Sequence, residues 1–139
     1  MKRALPMLLL LTALPAAADT RGKVVGVLDG DTLKLRDVHR VAHVVHLDCI
    51  DAPAPEQAYG SEAKAHLANL VTGRIVTVVT QSTDDQGRLL GQVELRGENI
   101  NVRMVSDGFA RASQDAGCGD TVNDAEQAAR SEGRGLWVE

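Results

Sequence analysis

The strongest constraint on the fold is the Asp29-Gly30 pair, which stands between two short β-prone segments. Residues 22–28 (GKVVGVL) precede the pair, and residues 32–35 (TLKL) follow it with alternating polar and apolar side chains. An Asp-Gly step between two such runs is a strong signal for a tight β-hairpin turn. We therefore expect the folded part of the chain to begin with a hairpin.

Beyond this hairpin, segments with period-two spacing predict strands and segments with helical spacing predict helices. The predicted strands cover residues 41–48, 74–80 and 89–95. The predicted helices run from an N-cap at Ser61 to just before Gly73, from an N-cap at Asn101 to near Gly108, and from a capping box at Thr121 to Glu132. The order βββαββαα, with short connections, predicts an α+β domain built on a small closed or nearly closed barrel.

The first eighteen residues have the pattern of a secretory signal peptide. Lys2 and Arg3 precede an apolar run of 11 residues from Ala4 to Leu14, and small residues end at Ala18. This run is well short of the roughly 20 apolar residues that a membrane-spanning helix needs. We expect cleavage after Ala18, export to the periplasm or the exterior, and one domain of residues 19–139 without stable membrane association.

Charge and aromatic content argue against a DNA-coating role. The chain has 15 Lys and Arg against 19 Asp and Glu, and losing Lys2 and Arg3 moves the formal charge from -4 to -6. Its three aromatic residues, Tyr59, Phe109 and Trp137, form no ladder on which bases could stack. Sequence-blind DNA binding usually relies on a broad positive field, which is absent here. The length of 139 residues suits one compact domain, and we expect a monomer.

Two cysteines, Cys49 and Cys118, remain after the predicted signal peptide. In an oxidising compartment an even number of cysteines favours a disulfide. Cys118 lies between two glycines on a pliable loop, where a free thiol would be reactive. Cys49 ends an apolar stretch and could equally be a small buried core residue. We predict that the two are bridged.

Four short strings occur in a fixed order along the chain. They are residues 28–35 (LDGDTLKL), residues 47–60 (LDCIDAP followed by QAYG), residues 85–88 (DQGR) and residues 135–137 (GLW). Together they resemble thermonuclease-like domains of the staphylococcal nuclease family, and the match spans nearly the whole predicted mature chain. The resemblance implies a five-stranded OB-fold β-barrel with three helices, and an endonuclease that hydrolyses phosphodiester bonds.

The resemblance also implies a calcium site. In the family, one divalent ion is held by two aspartates and a backbone carbonyl, and those places are occupied here by Asp31, Asp51 and Ala52. These are hard oxygen ligands, which suit calcium or another hard cation. Taken from the residues alone, acids beside turns are equally consistent with solvated surface groups.

The catalytic positions are matched only in part. Arg88 matches a family arginine that grips the phosphate, although it could also be a surface arginine of a hairpin. A second family arginine falls on His46, whose ring lacks the planar fork and is charged only below about pH 6.5. The family glutamate that orients the attacking water falls on Ala54, which cannot act as a base. Glu56 lies two residues further on, and we interpret it as a solvated acid.

Two functions therefore follow from the sequence. The first is an exported, metal-dependent nuclease acting on DNA or RNA, with activity weakened by His46 and Ala54. The second is a catalytically degenerate OB-fold binding module that keeps only the scaffold. The acidic charge balance favours the second function, whereas the retained Asp31, Asp51 and Arg88 favour the first.

Overall fold

The computed structural model describes residues 3–4, 19–115 and 117–138. The predicted signal peptide, residues 1–18, lies outside these residues except for residues 3 and 4, so it stays a prediction. The strands are β1 (Thr20–Asp29), β2 (Thr32–Asp37), β3 (Ala42–Leu47), β4 (Ile50–Asp51), β5 (Ile75–Thr83), β6 (Leu89–Leu95), β7 (Glu98–Asn99) and β8 (Arg111–Ala112). The helices are α1 (Gly60–Val71), α2 (Ile100–Ser106) and α3 (Asp120–Ser131), followed by a 3-10 turn over Gly135–Trp137.

Five of the strands close into a mixed barrel. The strand order is β3-β2-β1-β5-β6, all neighbours in it are antiparallel, and a parallel pairing of β3 with β6 completes the circle. The α+β class and the OB-fold barrel with three helices are thus confirmed. The short strand β7 extends this sheet beside β6, and β4 pairs with β8 in a separate two-stranded sheet. These three strands were not predicted from the sequence.

The core lies inside the barrel and under the helices. Alternate residues of β2 and β3 point inward because successive side chains of a strand face opposite sides. Burying each of the larger apolar side chains contributes about 1.5–3 kcal/mol relative to leaving it exposed. The core side chains from the strands are Val24, Leu33, Leu35, Val45, Leu47, Val76, Val78 and Val93, and those from the helices are Leu67, Val71, Ile100, Met104, Val105 and Val122. In the part of the chain that is described, none of the helices has the length and apolar character that crossing a bilayer requires.

The predicted N-caps of α1 and α3 are each wrong by two residues. Helix α1 begins at Gly60 because Tyr59 before it adopts a left-handed conformation with φ of 64°, and the Ser61 hydroxyl bonds to Glu62 instead. Helix α3 begins at Asp120 after Gly119, and Thr121 caps nothing. Backbone reversals, rather than side-chain caps, therefore begin both helices.

Asn101 is not the cap of α2 but a buried cross-link. Asn99 caps this helix by accepting a hydrogen bond from the Val102 N–H at 3.1 Å. The Asn101 amide accepts from the Val93 N–H at 3.0 Å and donates to the carbonyls of Asp48 and Gly91 at 2.9 and 3.1 Å. All its partners lie far away in sequence, so local caps could not reveal this role.

The predicted disulfide between Cys49 and Cys118 is present. It joins the loop after β3 to the loop before α3, with 5.3 Å between the two Cα atoms and 69 residues of separation. Beside it, β4 pairs with β8, which places Asp51 opposite Arg111. The segment that carries Asp51 is therefore held both by the bridge and by a short ribbon.

The GLW string has a structural role at the end of the described chain. The Leu136 N–H donates to the Gly108 carbonyl at 2.8 Å, and Gly135 is required because a Cβ there would lie 2.3 Å from that oxygen. The Trp137 ring is flanked by the guanidinium groups of Arg130 at 3.9 Å and Arg111 at 4.8 Å. These contacts pack the final turn against α3 and β8.

Candidate active site

The β1–β2 hairpin places two aspartates side by side. Asp29 is the last residue of β1, and its Oδ1 accepts a hydrogen bond at 3.0 Å from the N–H of Asp31. Gly30 between them is buried, and a Cβ there would approach the Cβ atoms of Ala52 and Ala63 to 2.7 Å. The turn therefore needs glycine, because the segment after Asp51 and helix α1 both press against it.

The Asp31 carboxylate joins the hairpin to the segment that follows β4. Asp31 is only 7% exposed. Its Oδ2 accepts from the Ala52 N–H at 2.9 Å, and its Oδ1 accepts from the Thr32 hydroxyl at 3.1 Å. The structure thus brings Asp31 and Ala52 into contact, while Asp51 lies next to Ala52 in the chain with an exposed side chain.

The pKa values of the two hairpin aspartates shift in opposite directions. Burial, together with a hydrogen bond to the neighbouring Asp29, raises the pKa of Asp31 to about 7. Burial also acts to raise the pKa of Asp29, but hydrogen bonds from Asp31 outweigh it and the pKa of Asp29 is lowered. Ionising Asp31 is therefore costly, because its carboxyl group is buried and lies close to a second carboxylate.

His46 is the nearest basic side chain to this pair. Its Nδ1 lies 3.3 Å from the Thr32 hydroxyl and 3.7 Å from Asp31 Oδ1. It occupies the outer face of β3, directly opposite Thr32 of β2. The residue at the position of the second family arginine is therefore held against the aspartate pair.

The donors at this end of the barrel fit a hard cation better than a transition metal. Among the described residues, no three His, Cys, Asp or Glu side chains lie close enough together to hold a metal ion alone. The chain instead offers the buried Asp31 carboxylate, which accepts from the Ala52 N–H, and Asp51, which precedes Ala52 in the chain. Calcium accepts such oxygen sets and takes water for its remaining ligands. The residues present thus fit the ion that the resemblance implies.

Arg88 is held by a turn of its own. Residues Asp84 to Arg88 form this turn, in which the Asp84 carboxylate accepts from the backbone N–H groups of Gln86 and Arg88, both at 2.9 Å. The Arg88 Nε donates to Asp84 Oδ2 at 2.5 Å. Burial acts to raise the pKa of Asp84, but the hydrogen bonds from Arg88 lower it overall. The guanidinium is tethered by Nε, and the Arg88 side chain as a whole is 38% exposed.

The barrel closure brings the turn that carries Arg88 close to β3. The parallel register puts Leu90 of β6 beside His46 of β3. Arg88 ends the turn directly before β6, two residues from Leu90. The two candidate phosphate contacts therefore lie on neighbouring segments of the barrel.

Ala54 and Glu56 lie on the loop between β4 and α1. The Ala54 N–H donates to the Gln57 side chain at 2.9 Å, which folds the loop into a turn. Glu56 is exposed, and within the described residues its carboxylate makes no hydrogen bond or ion pair. This loop therefore presents a methyl group where the family places an acid, and it leaves the nearby Glu56 in water.

Two residues of the site were missed in the sequence. Asp29 forms the pair with Asp31, and Asp84 tethers Arg88. A usable signal existed in both cases, because acids at the start of tight turns commonly accept from backbone N–H groups two residues on. Such hydrogen bonds hold the carboxylate over its own turn, where Asp29 meets Asp31 and Asp84 meets Arg88.

Comparison with known proteins shows similarity to nucleases. Residues 40–139 match the family model described as Staphylococcal nuclease homologue. The chain is 36% identical to a protein of Escherichia coli O157:H7 named an uncharacterized endonuclease, covering 99% of this chain and 90% of that one. It is 38% identical to a protein of Shigella flexneri named micrococcal nuclease, covering 92% and 79%. An uncharacterized endonuclease of Haemophilus influenzae is 33% identical, covering 96% and 76%.

Proposed function

The chain belongs to the staphylococcal nuclease homologue family, and from that premise we propose that it is an exported, calcium-dependent nuclease of weakened activity. Its substrate is DNA or RNA, and the reaction is hydrolysis of a phosphodiester bond. The observation that carries the proposal is the hydrogen bond from the Ala52 N–H to the buried Asp31 carboxylate. It joins the two segments whose oxygens the family uses for its metal.

Asp31, Asp51 and the Ala52 carbonyl would hold the calcium ion. When bound, calcium supplies Lewis-acid polarisation of the phosphate and lowers the pKa of coordinated water. The contribution of this chain is to bury Asp31 beside Asp29, where among the described residues no lysine or arginine pairs with it, so that an arriving cation offsets its charge.

Arg88 would bind the phosphate and offset the charge that develops on it. Its Nε donates to Asp84, so the two Nη groups can form the forked contact that suits phosphate oxygens. Because Asp84 is bonded to two N–H groups of the turn, it holds the guanidinium in place before substrate arrives. Preorganised donors of this kind typically accelerate cleavage about a hundredfold or more.

His46 and Ala54 explain why the activity would be weak. The His46 Nδ1 faces Thr32 and Asp31, which leaves one ring nitrogen for a phosphate instead of a forked pair of donors. Ala54 provides no carboxylate, so the attacking water lacks the side-chain base that the family uses. Phosphate binding by Arg88 is retained, but the forked contact at the position of His46 and the base at the position of Ala54 are not.

Export and domain limits form the second part of the proposal. Residues 1–18 would be removed as a signal peptide, leaving residues 19–139 as a monomeric nuclease domain in the periplasm or outside the cell. The basic start, the short apolar run and the small residues before Asp19 support the cleavage site. The Cys49–Cys118 disulfide is compatible with an oxidising compartment.

Gel nuclease assays of the purified exported protein test the enzymatic proposal. We expect slow cleavage of DNA or RNA in calcium and none in chelator. Calcium should also raise the melting temperature of the wild type but not of an Asp31→Asn/Asp51→Asn variant, which gives a readout independent of activity. Absence of both cleavage and calcium stabilisation would favour the binding-module alternative.

Mass spectrometry of the same exported protein tests the cleavage site. An N-terminus at Asp19 is expected. Protein that keeps residues 1–18, or that stays in the membrane fraction, contradicts the export proposal.

A further inference from the structure

Four cations line the outer face of the β1–β2 hairpin. Arg21 and Lys23 of β1 and Lys34 and Arg36 of β2 are all exposed, whereas the residues between them are buried. Because strand side chains alternate between faces, all four project from the outside of the barrel. We call these four residues the basic face.

The strand register makes the basic face a continuous track. Lys23 lies directly opposite Arg36, and Arg21 is two residues further toward the far end of the hairpin. Lys34 is two residues nearer the turn, and the next outward position is Thr32, which lies opposite His46. Each two-residue step covers roughly 6.6–6.8 Å, so the track runs about 20 Å from the far end of the hairpin to the candidate active site.

These cations are not neutralised by the protein. Within the described residues, none of the four takes part in an ion pair, and neither do the exposed Arg40 and Arg74 at the edges of the same sheet. By contrast, ion pairs hold other arginines of the chain, namely Arg88, Arg103, Arg130 and Arg134. Asp37, the acid at the far end of the track, is bonded to His43 at 2.8 Å. Four unpaired cations therefore stand in a row on the outer face of the hairpin.

We propose that the basic face binds the sugar–phosphate backbone of the nucleic-acid strand that extends away from the cleavage site. This inference rests on the proposed nuclease function. The charges are complementary, because a track of unpaired cations leads toward the site proposed to bind a phosphate. No aromatic ring belongs to the four residues, so the contact would grip phosphates rather than stack bases and would be independent of sequence.

Equilibrium binding to a labelled single-stranded DNA of roughly 30 nucleotides tests this proposal, because that length exceeds one OB-fold site. Chelator is present, so that binding is measured without cleavage. The Lys23→Gln/Arg36→Gln variant is compared with Lys64→Gln/Arg96→Gln, which also removes one exposed lysine and one exposed arginine but outside the barrel strands. Thermal melts confirm that both variants fold.

For Lys23→Gln/Arg36→Gln, we expect the slope of log affinity against log salt to become shallower by about 1.4, because each lost contact contributes roughly 0.7 on single strands. Affinity at low salt should fall about threefold to tenfold. The Lys64→Gln/Arg96→Gln control should keep the wild-type slope. An unchanged slope in the first variant, or an equal loss in both variants, overturns the proposal.

Vesicles containing anionic phosphatidylglycerol provide the competing outcome, since Val38 and Ile75 beside the face are 73% and 51% exposed. If Lys23→Gln/Arg36→Gln loses vesicle binding but keeps its affinity for DNA, the face is a membrane contact and the proposal is wrong. A different outcome would contradict only the nuclease proposal. If the wild type binds DNA through the basic face but does not cleave it in calcium, the proposed function is wrong while the proposal for the basic face still holds.

Discussion

Two turns at the candidate site use an aspartate in opposite ways. In the β1–β2 turn, Asp31 is buried against Asp29, its nearest basic neighbour is His46 at 3.7 Å, and its pKa is raised to about 7. In the β5–β6 turn, Asp84 is bonded to Arg88 at 2.5 Å, and the hydrogen bonds of that arginine lower its pKa despite some burial. The first turn holds an acid whose basic neighbour is a histidine, and the second turn pairs its acid with an arginine.

The difference assigns a separate task to each turn. Binding a cation from solution stabilises a buried carboxylate that has no lysine or arginine partner. The β1–β2 turn is therefore suited to the proposed metal. An arginine already bonded to an acid has a fixed position and spare donors, which suits the β5–β6 turn to a phosphate. The four predictions that follow test this division, and the largest expected effect comes first.

Replacing Arg88 should abolish most activity without unfolding the protein. Arg88→Gln is expected to lower kcat/KM for DNA cleavage by roughly a hundredfold to a thousandfold, because a preorganised donor to the phosphate is lost. Its partly exposed side chain predicts a small change in melting temperature. Steady-state cleavage rates and thermal melts measure both effects, and Arg96→Gln is the control. Wild-type activity in Arg88→Gln would make Arg88 an ordinary surface arginine.

Restoring the two departures should increase activity. The double change His46→Arg with Ala54→Glu supplies a forked cation and a carboxylate base, each worth up to about a hundredfold where geometry permits. The effects need not add, because both act in one pocket. We expect calcium-dependent cleavage well above wild type, measured beside the two single variants. If the double variant folds and binds calcium without any gain, the positional match to the family is wrong.

Asp31 should make the calcium-free protein less stable as pH rises. Its pKa is about 7 in the folded protein against an ordinary value of 3.8, so the folded state holds an extra proton between these values. This contribution is fully present below about pH 4 and is lost as pH rises through about 7. As pH rises from 5 to 8, the free energy of unfolding of Asp31→Asn should rise by roughly 2 kcal/mol relative to that of wild type. This figure is smaller than the full pKa shift implies, to allow for solvent screening.

Urea unfolding in chelator at both pH values measures this gain. Asp51→Asn, which removes an exposed carboxylate, is the matched control and should show no comparable gain. Equal behaviour of the two variants would contradict the contrast between the turns.

The smallest effect is expected from Asp84. Asp84→Asn keeps the turn's acceptor oxygen but weakens the tether on Arg88, so KM for DNA should change by less than about tenfold and the fold should persist. Asp85→Asn, the exposed neighbouring acid, is the control. A loss as large as that of Arg88→Gln would show that Asp84 itself acts in catalysis rather than in positioning Arg88.

Local sequence signals predicted the barrel strands and the three helices but misplaced the helix starts. The Asp29-Gly30 step and the alternation in β2 and β3 depend on neighbouring residues alone, so the hairpin was predictable. Asn101 has the chemistry of a cap, yet its partners Asp48 and Gly91 are distant in sequence. Capping rules consider only the adjacent residues, and they therefore assigned Asn101 to the wrong task.

The sequence by itself determined the barrel, the disulfide partners and which motif residues are present, because alternation, cysteine count and residue identity are properties of the chain. Only the tertiary structure decided their electrostatics. The Ala52 N–H reaches Asp31 across 21 residues, and burial by the surrounding fold raises the pKa of that carboxyl. Likewise, the net charge concealed the basic face, because strand pairing, rather than composition, brings Lys23 and Arg36 together.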